Sequence, residues 1–295
     1  MIWQTAHRQL DLGRRAVVMG VLNVTPDSFS DGGKFFDPTH AAERGRAMLA
    51  EGADLLDIGG ESTRPGAVPV AVEEELARVL PVIERLRAQA PQALLSIDTS
   101  KAAVAAAALA AGASIVNDVT ALRGDPAMAA LVRARGAGVV LMHMQGEPAT
   151  MQRAPSYPAD DVVTAVRRFF QERLAFALAS GIAPEQLAFD PGLGFGKTAA
   201  HNLALCRALP VLGASVPSRP LVLGASRKRF LAVAAGLDPA GAPAERDGAT
   251  LALSIFAREK GVRVLRVHAV RPNVEALRAV EALLHGQAGS APGRS

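Results

Sequence analysis

Polar and charged side chains follow short apolar runs along the 295-residue sequence, and their types could bind a nitrogen-rich ring. The carboxylates of Asp98 and Asp190 and the amide oxygen of Asn117 are acceptors that suit a flat heterocycle carrying N–H and amino donors. Lys228 could hold a ring oxygen or nitrogen, and the guanidinium of Arg266 could stack on an aromatic face and also bind phosphate. These residue types predict a pocket for a nitrogen heterocycle.

A second group of side chains could bind an anion beside that heterocycle. His268, Arg64, Thr63 and Asn23 supply donors or a metal ligand for a phosphate-like group. An Asn oxygen is a hard ligand that suits Mg²⁺, a cation that usually keeps several waters and bridges phosphates. The two groups together predict a pocket with the heterocycle at its floor and the anion at its mouth.

The elements that must position these side chains alternate between short strands and longer helices. The apolar runs are continuous, as expected for parallel strands that are covered on both faces. They span Ala16–Val24, Leu55–Ile58, Ala93–Ile97, Ser114–Val116, Gly138–Met142, Leu187–Phe189, Leu221–Leu223 and Val264–Val267. Helical patterns fill the gaps, running from Asp37 to Gly52, Val72–Arg87, from a cap at Ser100 to Gly112, Asp125–Arg135, Asp160–Ser180, Ala199–Leu209, Gly248–Lys260 and Pro272–Leu284.

Strand followed by helix, repeated about eight times, predicts an α/β fold of parallel βαβ units, and eight units favour a closed (β/α)8 TIM barrel over an open sheet. The carboxyl ends of barrel strands converge on one face, where active sites lie. A single Asp after one strand is usually a helix cap. Polar residues after all the strands would be costly to bury without a ligand, so they predict one binding site.

No linker or internal repeat divides the chain, so we expect a single domain over residues 16–285. Residues 1–15 precede the first strand and are expected to form a small cap on the base of the barrel. The small, polar tail over residues 286–295 is expected to be disordered.

Composition narrows the classes of function. A net charge of +4 and a pI near 9.7 allow either a nucleic-acid partner or a mildly basic surface. The Arg and Lys residues are spread along the helices, and aromatic residues are not interleaved with them. This distribution favours a mildly basic surface and predicts that the chain does not bind nucleic acid. The single cysteine, Cys206, rules out an internal disulfide and suits the cytoplasm. The small-residue run Ala102–Val116 is too short for a membrane span, and the N-terminus lacks the pattern of a signal peptide.

Two further motifs carry weak signals. Residues Pro191–Thr198 look like a phosphate-binding P-loop, but Pro191 occupies the place of the first glycine. A mobile, glycine-rich wall beside the ligand is the better interpretation. His143 lies between two methionines with no metal-ligand spacing, so a structural and a functional histidine are equally expected.

The chain resembles the dihydropteroate synthase family of pterin-binding enzymes from about Val18 to Leu284. Two long and specific signatures carry the resemblance, Asn23–Gly33 and Asp57–Gly66. Shorter motifs follow in the family's order at Ser96–Thr99, Ile115–Asp118, Leu141–Gly146, Asp190–Lys197, Ser226–Lys228 and Arg266–His268.

The resemblance implies a transferase of folate biosynthesis. It would condense 6-hydroxymethyl-7,8-dihydropterin pyrophosphate with p-aminobenzoate, giving 7,8-dihydropteroate and pyrophosphate by an SN1-like substitution at the pterin methylene. It further implies Mg²⁺ as cofactor, a cytoplasmic homodimer, and sulfonamides as competitors of p-aminobenzoate.

The family's residue roles carry over onto matching positions. The resemblance implies a pterin pocket of Asp57, Asp98, Asn117, Met144, Asp190, Phe195, Lys228 and Arg266. It implies a p-aminobenzoate site at Pro65, Phe195 and Ser226. It places pyrophosphate at Asn23, Thr63, Arg64, Arg266 and His268, with Asn23 on the metal. The residues implied in catalysis are Asp27, Phe29, Thr63, Arg64, Pro65, Lys228, Arg266 and His268, several of them on two loops that order before reaction.

Two positions depart from the family, and two other functions compete. Ala269 follows the last histidine where Asp is common, and Ala225 stands where larger residues are frequent. A pterin-binding methyltransferase on a similar barrel would share the acids but would not need the loop Thr63-Arg64-Pro65. A non-catalytic, pterin-binding relative has only Ala269 in its favour.

Overall fold

The computed structural model describes residues 1–25, 37–62, 67–146, 150–157 and 161–286. Its strands are β1 (Ile2–Gln4), β2 (Gln9–Asp11), β3 (Val17–Asn23), β4 (Leu55–Gly59), β5 (Leu94–Asp98), β6 (Ile115–Asp118), β7 (Gly138–Met142), β8 (Leu187–Asp190), β9 (Val222–Leu223) and β10 (Val264–Val267). Its helices are α1 (Pro38–Ala50), α2 (Val72–Gln89), α3 (Ala102–Ala110), α4 (Met128–Arg135), α5 (Val162–Ala179), α6 (Ala199–Arg207), α7 (Leu209–Ser215), α8 (Arg229–Ala235), α9 (Asp247–Glu259) and α10 (Val270–His285).

Strands β3 to β10 form the predicted barrel. They lie in the order β8-β7-β6-β5-β4-β3-β10-β9, and every pair is parallel. A parallel bridge between Phe189 and Leu221 joins the two ends of the sheet. All eight predicted runs became strands, with bounds that moved by two residues at most. Continuous apolar runs therefore predicted the barrel because each strand is covered on both faces.

Alternate residues along each strand serve two separate cores. On β3, Val18 and Leu22 belong to the large cluster between the sheet and the helices, whereas Val17 and Met19 belong to the cluster inside the barrel. This division follows from the two-residue period of a strand.

The amino-terminal end of the barrel is closed by the hairpin of β1 and β2, an antiparallel pair. The side chains of Trp3 and Leu12 are fully buried and belong to the cluster inside the barrel. The Trp3 Nε1–H donates to the carbonyl oxygen of Gln186, just before β8, at 3.0 Å. Burial of an indole with its N–H satisfied makes the hairpin an apolar plug of this mouth.

Several helix boundaries differ from the prediction. Helix α3 begins after Lys101 without a side-chain cap, so the cap predicted at Ser100 is wrong. Helix α4 begins at Met128 because the Asp125 carboxylate accepts backbone N–H groups of Ala127 and Ala102 instead. The start predicted at Asp160 lies outside the described residues, and Asp161 caps α5.

Two short helices, α7 and α8, were not predicted at all, and α10 begins two residues before Pro272, at Val270. Seven-residue helices carry too little periodicity to be recognised without their tertiary contacts. Within the described parts of the chain, no helix is both long enough and apolar enough to cross a membrane.

Candidate active site

An arginine joins one fully buried and one partly buried carboxylate at the carboxyl end of the barrel. Asp57 on β4, Asp98 at the end of β5 and Arg266 on β10 all reach this point. Arg266 Nε donates to Asp57 Oδ2 at 2.6 Å, and its Nη2 donates to Asp98 Oδ2 at 2.7 Å. Asn117 Nδ2, from β6, donates to the same Asp57 oxygen at 2.8 Å. Four strands thus bring two carboxylates, one amide and one guanidinium together.

The carboxylates of this group differ from ordinary surface acids in their pKa and in their hydrogen bonds. Burial raises the pKa of Asp98 to about 7, against the opposing charge of Arg266 and with the help of the nearby Asp57 charge. Asp57 is fully buried, and its Oδ1 has no hydrogen-bond partner among the described residues. A buried acceptor without a partner is costly, so a ligand N–H at this point would be stabilised.

Asp190 and Lys228 form a second group beside the first. Asp190 Oδ1, at the end of β8, accepts the N–H of Gly192 at 2.7 Å. Lys228 Nζ donates to the carbonyl oxygen of Leu193 and lies 4.4 Å from the ring centroid of Phe195. Burial lowers the pKa of Lys228 to about 8 and raises that of Asp190, while each charge opposes the shift of the other.

An apolar patch adjoins this lysine. Phe195 packs against a small buried cluster that consists of Val119, Met142, Met144 and Met151. The structure therefore brings Met144 and Phe195, predicted from separate motifs, onto one surface. Such a surface suits an aromatic ring.

Ser226 and His268 make direct contact after β9 and β10. His268 Nδ1 lies 3.0 Å from Ser226 Oγ, and the backbone N–H of His268 donates to the same oxygen at 3.2 Å. Asn23 ends β3 and is partly exposed. Two predicted subsites, for the p-aminobenzoate carboxylate at Ser226 and for pyrophosphate at His268, therefore share a border.

A network that sequence reasoning missed holds the residue between Ser226 and Lys228. Arg227 has a φ of 62°, an unfavourable value for an L-residue. Its guanidinium makes two 2.8 Å bonds to Asp247, and its N–H donates to Thr250 Oγ1 at 3.1 Å. Arg246 Nη1 donates to the carbonyl oxygen of Arg227 at 2.9 Å. Nothing in the sequence marked these distant partners on α9 and the turn before it.

The glycine-rich segment after β8, predicted to be a mobile wall beside the ligand, makes hydrogen bonds to neighbouring segments. Tyr157 Oη donates to the carbonyl oxygen of Gly196 at 2.9 Å, and Gly194 N–H donates to Asn202 Oδ1 at 2.8 Å. A Cβ at Gly192 would lie 1.9 Å from the carbonyl oxygen of His143, so only glycine allows this approach.

Five residues predicted on the two loops lie outside the described residues: Asp27, Phe29, Thr63, Arg64 and Pro65. Within the described parts of the chain, no cluster of three or more His, Cys, Asp or Glu side chains could hold a metal ion.

The chain matches known proteins over most of its length. The sequence profile of the pterin-binding enzymes matches residues 19–268. The dihydropteroate synthase of Mycobacterium leprae is 50% identical over 271 residues, covering 91% of this chain and 93% of the relative. The chain belongs to the dihydropteroate synthase family of pterin-binding enzymes. It is accordingly a transferase of the dihydropteroate synthase kind.

Solved structures of this family have the same barrel. A Xanthomonas albilineans dihydropteroate synthase with 4-aminobenzoic acid is 46% identical, has a TM-score of 0.87, and the match covers 97% of this chain and 99% of that one. The Yersinia pestis enzyme in a complex with a sulfonamide drug is 44% identical, with a TM-score of 0.87 and coverage of 96% and 99%.

Ala269, which stands where the family commonly has Asp, lies at the start of the last helix. Ala269 is the N-cap residue of α10, and no side chain caps that helix. Its carbonyl oxygen accepts from Asn273 Nδ2 at 2.7 Å. Asp is among the preferred residues at an N-cap, so the alanine leaves α10 without the side-chain cap that Asp would give.

Proposed function

We propose that the charged carboxyl end of the barrel is where this chain condenses 6-hydroxymethyl-7,8-dihydropterin pyrophosphate with p-aminobenzoate. The observation that carries the assignment is the buried group in which Arg266 joins Asp57 and Asp98, with Asn117 beside them. A pterin presents ring N–H and amino donors, which these acceptors would satisfy. The planar Arg266 guanidinium would lie along the ring and reach the pyrophosphate.

The reaction replaces a C–O bond by a C–N bond at the pterin methylene. As pyrophosphate departs, positive charge develops on the methylene and spreads into the ring, where Asp57, Asp98 and Asp190 stabilise it. Arg266 and His268 stabilise the departing anion, and the amine of p-aminobenzoate then attacks the methylene and loses a proton to solvent. No covalent bond to the protein is needed, in keeping with the SN1-like course that the resemblance implies.

The second substrate would lie against Phe195, with its carboxylate at Ser226. The apolar patch around Phe195 and Met144 suits a benzene ring, and Ser226 Oγ is a hydrogen-bonding group at its border with His268. A relative has been solved with 4-aminobenzoic acid, which supports this assignment. Sulfonamides resemble p-aminobenzoate and would compete for the same patch, and a sulfonamide complex of the Yersinia pestis relative supports that expectation.

Magnesium would enter with the pyrophosphate. The described residues offer no cluster of three or more His, Cys, Asp or Glu side chains that could hold the cation by themselves. The amide oxygen of Asn23 at the end of β3 fits a cation that already carries waters and phosphate oxygens. When bound, the cation would neutralise charge on the leaving group.

The two loops outside the described residues complete the proposal through the resemblance alone. Thr63 and Arg64 would contact pyrophosphate, and Pro65 would lie beside the p-aminobenzoate ring. Asp27 and Phe29 belong to the other loop. Water exclusion by these loops would prevent hydrolysis of the cationic intermediate.

We expect a homodimer formed through an apolar face of α6, α8 and α9. A groove there is lined by Leu203, Cys206, Phe230, Leu231, Leu253 and Phe256 among others. Val233 and Phe256 are large apolar side chains exposed at 54% and 37%, and a second copy of the chain would cover them. Light scattering should give a dimer mass for the native chain and a monomer mass for Val233→Asp.

The free, buried Cys206 is consistent with a cytoplasmic location of the chain.

The decisive experiment is an assay with purified protein, 6-hydroxymethyl-7,8-dihydropterin pyrophosphate, p-aminobenzoate and Mg²⁺, following pyrophosphate and dihydropteroate. Turnover should need all three additions, fall about 10²- to 10³-fold in Lys228→Ala, and show competitive inhibition by sulfanilamide against p-aminobenzoate. Lys260→Ala is the matched control, because Lys260 also lies over a phenylalanine ring, 5.4 Å from that of Phe256, on the outer face.

Pterin binding without turnover would favour the non-catalytic relative instead. Ala269→Asp is then the variant to test, since it restores the residue that is common in the family. Transfer of a methyl group from a reduced folate would favour the methyltransferase and contradict the proposal.

A further inference from the structure

Lys197 is a buried lysine that the reaction described above does not use. It ends the glycine-rich segment 191–197, and its side chain is only 3% exposed. Its Nζ lies 2.9 Å from His143 Nδ1, at the end of β7. The same Nζ donates to the carbonyl oxygens of Gly192 at 2.9 Å, Phe195 at 3.0 Å and His143 at 3.3 Å. One ammonium group thus ties both ends of the segment to the neighbouring strand.

The chemistry of this contact assigns the roles of donor and acceptor. Burial lowers the pKa of His143 to about 2, and the charges of Lys197 and Arg123 add to the shift. The imidazole is therefore neutral, and its Nδ1 accepts from Lys197 while the ring proton stays on Nε2. Burial and the charge of Lys228 also lower the pKa of Lys197, which Asp190 opposes. Three carbonyl dipoles and one imidazole compensate for the lost hydration of the ammonium.

The segment that Lys197 holds forms one wall of the site. It supplies the ring of Phe195 and the carbonyl oxygen of Leu193, and both contact Lys228. Its close approach to β7 depends on glycine, because a Cβ at Gly196 would lie 2.4 Å from the carbonyl oxygen of Gln145. Glycines lower the intrinsic rigidity of a segment, so side-chain hydrogen bonds must supply it.

We propose that Lys197, through His143, is a positioning residue that sets the affinity of the site for p-aminobenzoate by fixing the Phe195 wall against Lys228. The inference rests on the proposed function, because the place of p-aminobenzoate beside Phe195 belongs to that proposal. Phe195 and Lys228 are also implied in the pterin pocket, but the Asp57, Asp98 and Arg266 group of that pocket stands on other strands and makes none of these contacts. Loss of Lys197 therefore acts on one substrate more than on the other.

The test compares Lys197→Met with Gln186→Met. Both changes remove a buried side-chain donor to backbone carbonyls, since Gln186 Nε2 donates to Ala137 O at 2.7 Å near the opposite end of β8. In Lys197→Met, KM for p-aminobenzoate should rise about tenfold, and KM for the pterin pyrophosphate should change less than about threefold. Gln186→Met should lower the melting temperature and leave both KM values unchanged. If KM for p-aminobenzoate and KM for the pterin pyrophosphate change by the same factors in Lys197→Met as in Gln186→Met, the proposal is overturned.

A milder variant covers the case in which Lys197→Met does not fold. Tyr157→Phe removes only the hydrogen bond from the phenol to Gly196, on the same segment. It should raise KM for p-aminobenzoate about two- to fivefold with little change in KM for the pterin. An unchanged KM for p-aminobenzoate in this variant would contradict the proposal.

Calorimetry separates this inference from the proposed function. If the native chain binds p-aminobenzoate in the presence of pterin and pyrophosphate without turning over, only the proposed function fails. Weaker binding by Tyr157→Phe or Lys197→Met would then still support Lys197 as the positioning residue. Equal affinities, or no binding of p-aminobenzoate by the native chain, would refute it.

Discussion

The two ends of the same eight barrel strands are built from opposite chemistries. At the amino end, Trp3 and Leu12 close the barrel with apolar surface and a single indole hydrogen bond. At the carboxyl end, the fully buried Asp57 and the partly buried Asp98 and Arg266 are charged or titratable groups. Apolar burial stabilises a fold, whereas buried charges cost free energy and are retained where they bind or react. Stability and function are thus separated along the length of each strand.

The largest effect on folding should come from the amino end. Trp3→Ala removes a fully buried indole from the interior cluster, and we expect a loss of about 3–5 kcal/mol in the free energy of unfolding. Urea denaturation measures this loss, and kcat per folded molecule should stay within about twofold of the native value. Trp3→Phe keeps most of the plug and serves as control. A large change in kcat would show that the two ends are not separate.

The converse prediction concerns a substitution at the carboxyl end of the barrel, which should affect the reaction more than the stability. Lys228→Met keeps the packing against Phe195 but removes a partly buried cation whose pKa is lowered to about 8 by desolvation. We expect kcat/KM to fall about 10²- to 10³-fold, about 3–4 kcal/mol, with only a small loss of stability, because the desolvation cost of the ammonium disappears while Asp190 loses its opposite charge. Steady-state kinetics and thermal unfolding on one preparation test both parts. A melting temperature well below that of Lys260→Met would contradict this expectation.

The pH dependence of stability should also distinguish the two ends of the barrel. His143 has a pKa near 2 when folded and near 6.5 when unfolded, so the unfolded chain binds one more proton between these values. Stability contributed by the neutral imidazole is therefore lost as the pH falls below about 6.5, with a slope of about 1.4 kcal/mol per pH unit.

His143→Asn keeps an acceptor for Lys197 and removes this titration. Urea unfolding between pH 4 and 6 should give a shallower slope in the variant than in the native chain. Trp3→Phe, at the apolar end, should keep the native slope. An identical slope in His143→Asn would show that this histidine does not govern acid sensitivity.

The smallest expected effect concerns Ala269. Ala269→Asp should supply the missing cap of α10 and raise the free energy of unfolding by about 1 kcal/mol. Chemical denaturation measures the gain, with Ala269→Asn as the uncharged control. A change in kcat beyond about threefold would instead place this residue in the reaction and weaken the account of it as a helix cap.

Strand positions and the polar residues after them were predictable from the sequence. Continuous apolar runs predicted all eight barrel strands because burial on both faces leaves a pattern within a few consecutive residues. The same local pattern placed Asp57, Asp98, Asn117, Asp190 and Arg266 at the carboxyl end. The two signatures Asn23–Gly33 and Asp57–Gly66 were enough to predict the family, which the comparisons confirm.

Only the tertiary structure decided which partners those residues have. The bonds of Arg266 to Asp57 and Asp98 span 209 and 168 residues of chain, so no local pattern specifies them. The left-handed Arg227, held by Asp247 and Thr250, and the clamp of Lys197 on His143 likewise depend on segments distant in sequence. Hydrogen-bond geometry and desolvation are set by the packed fold, so a sequence pattern specifies the side chains but not their contacts or their pKa values.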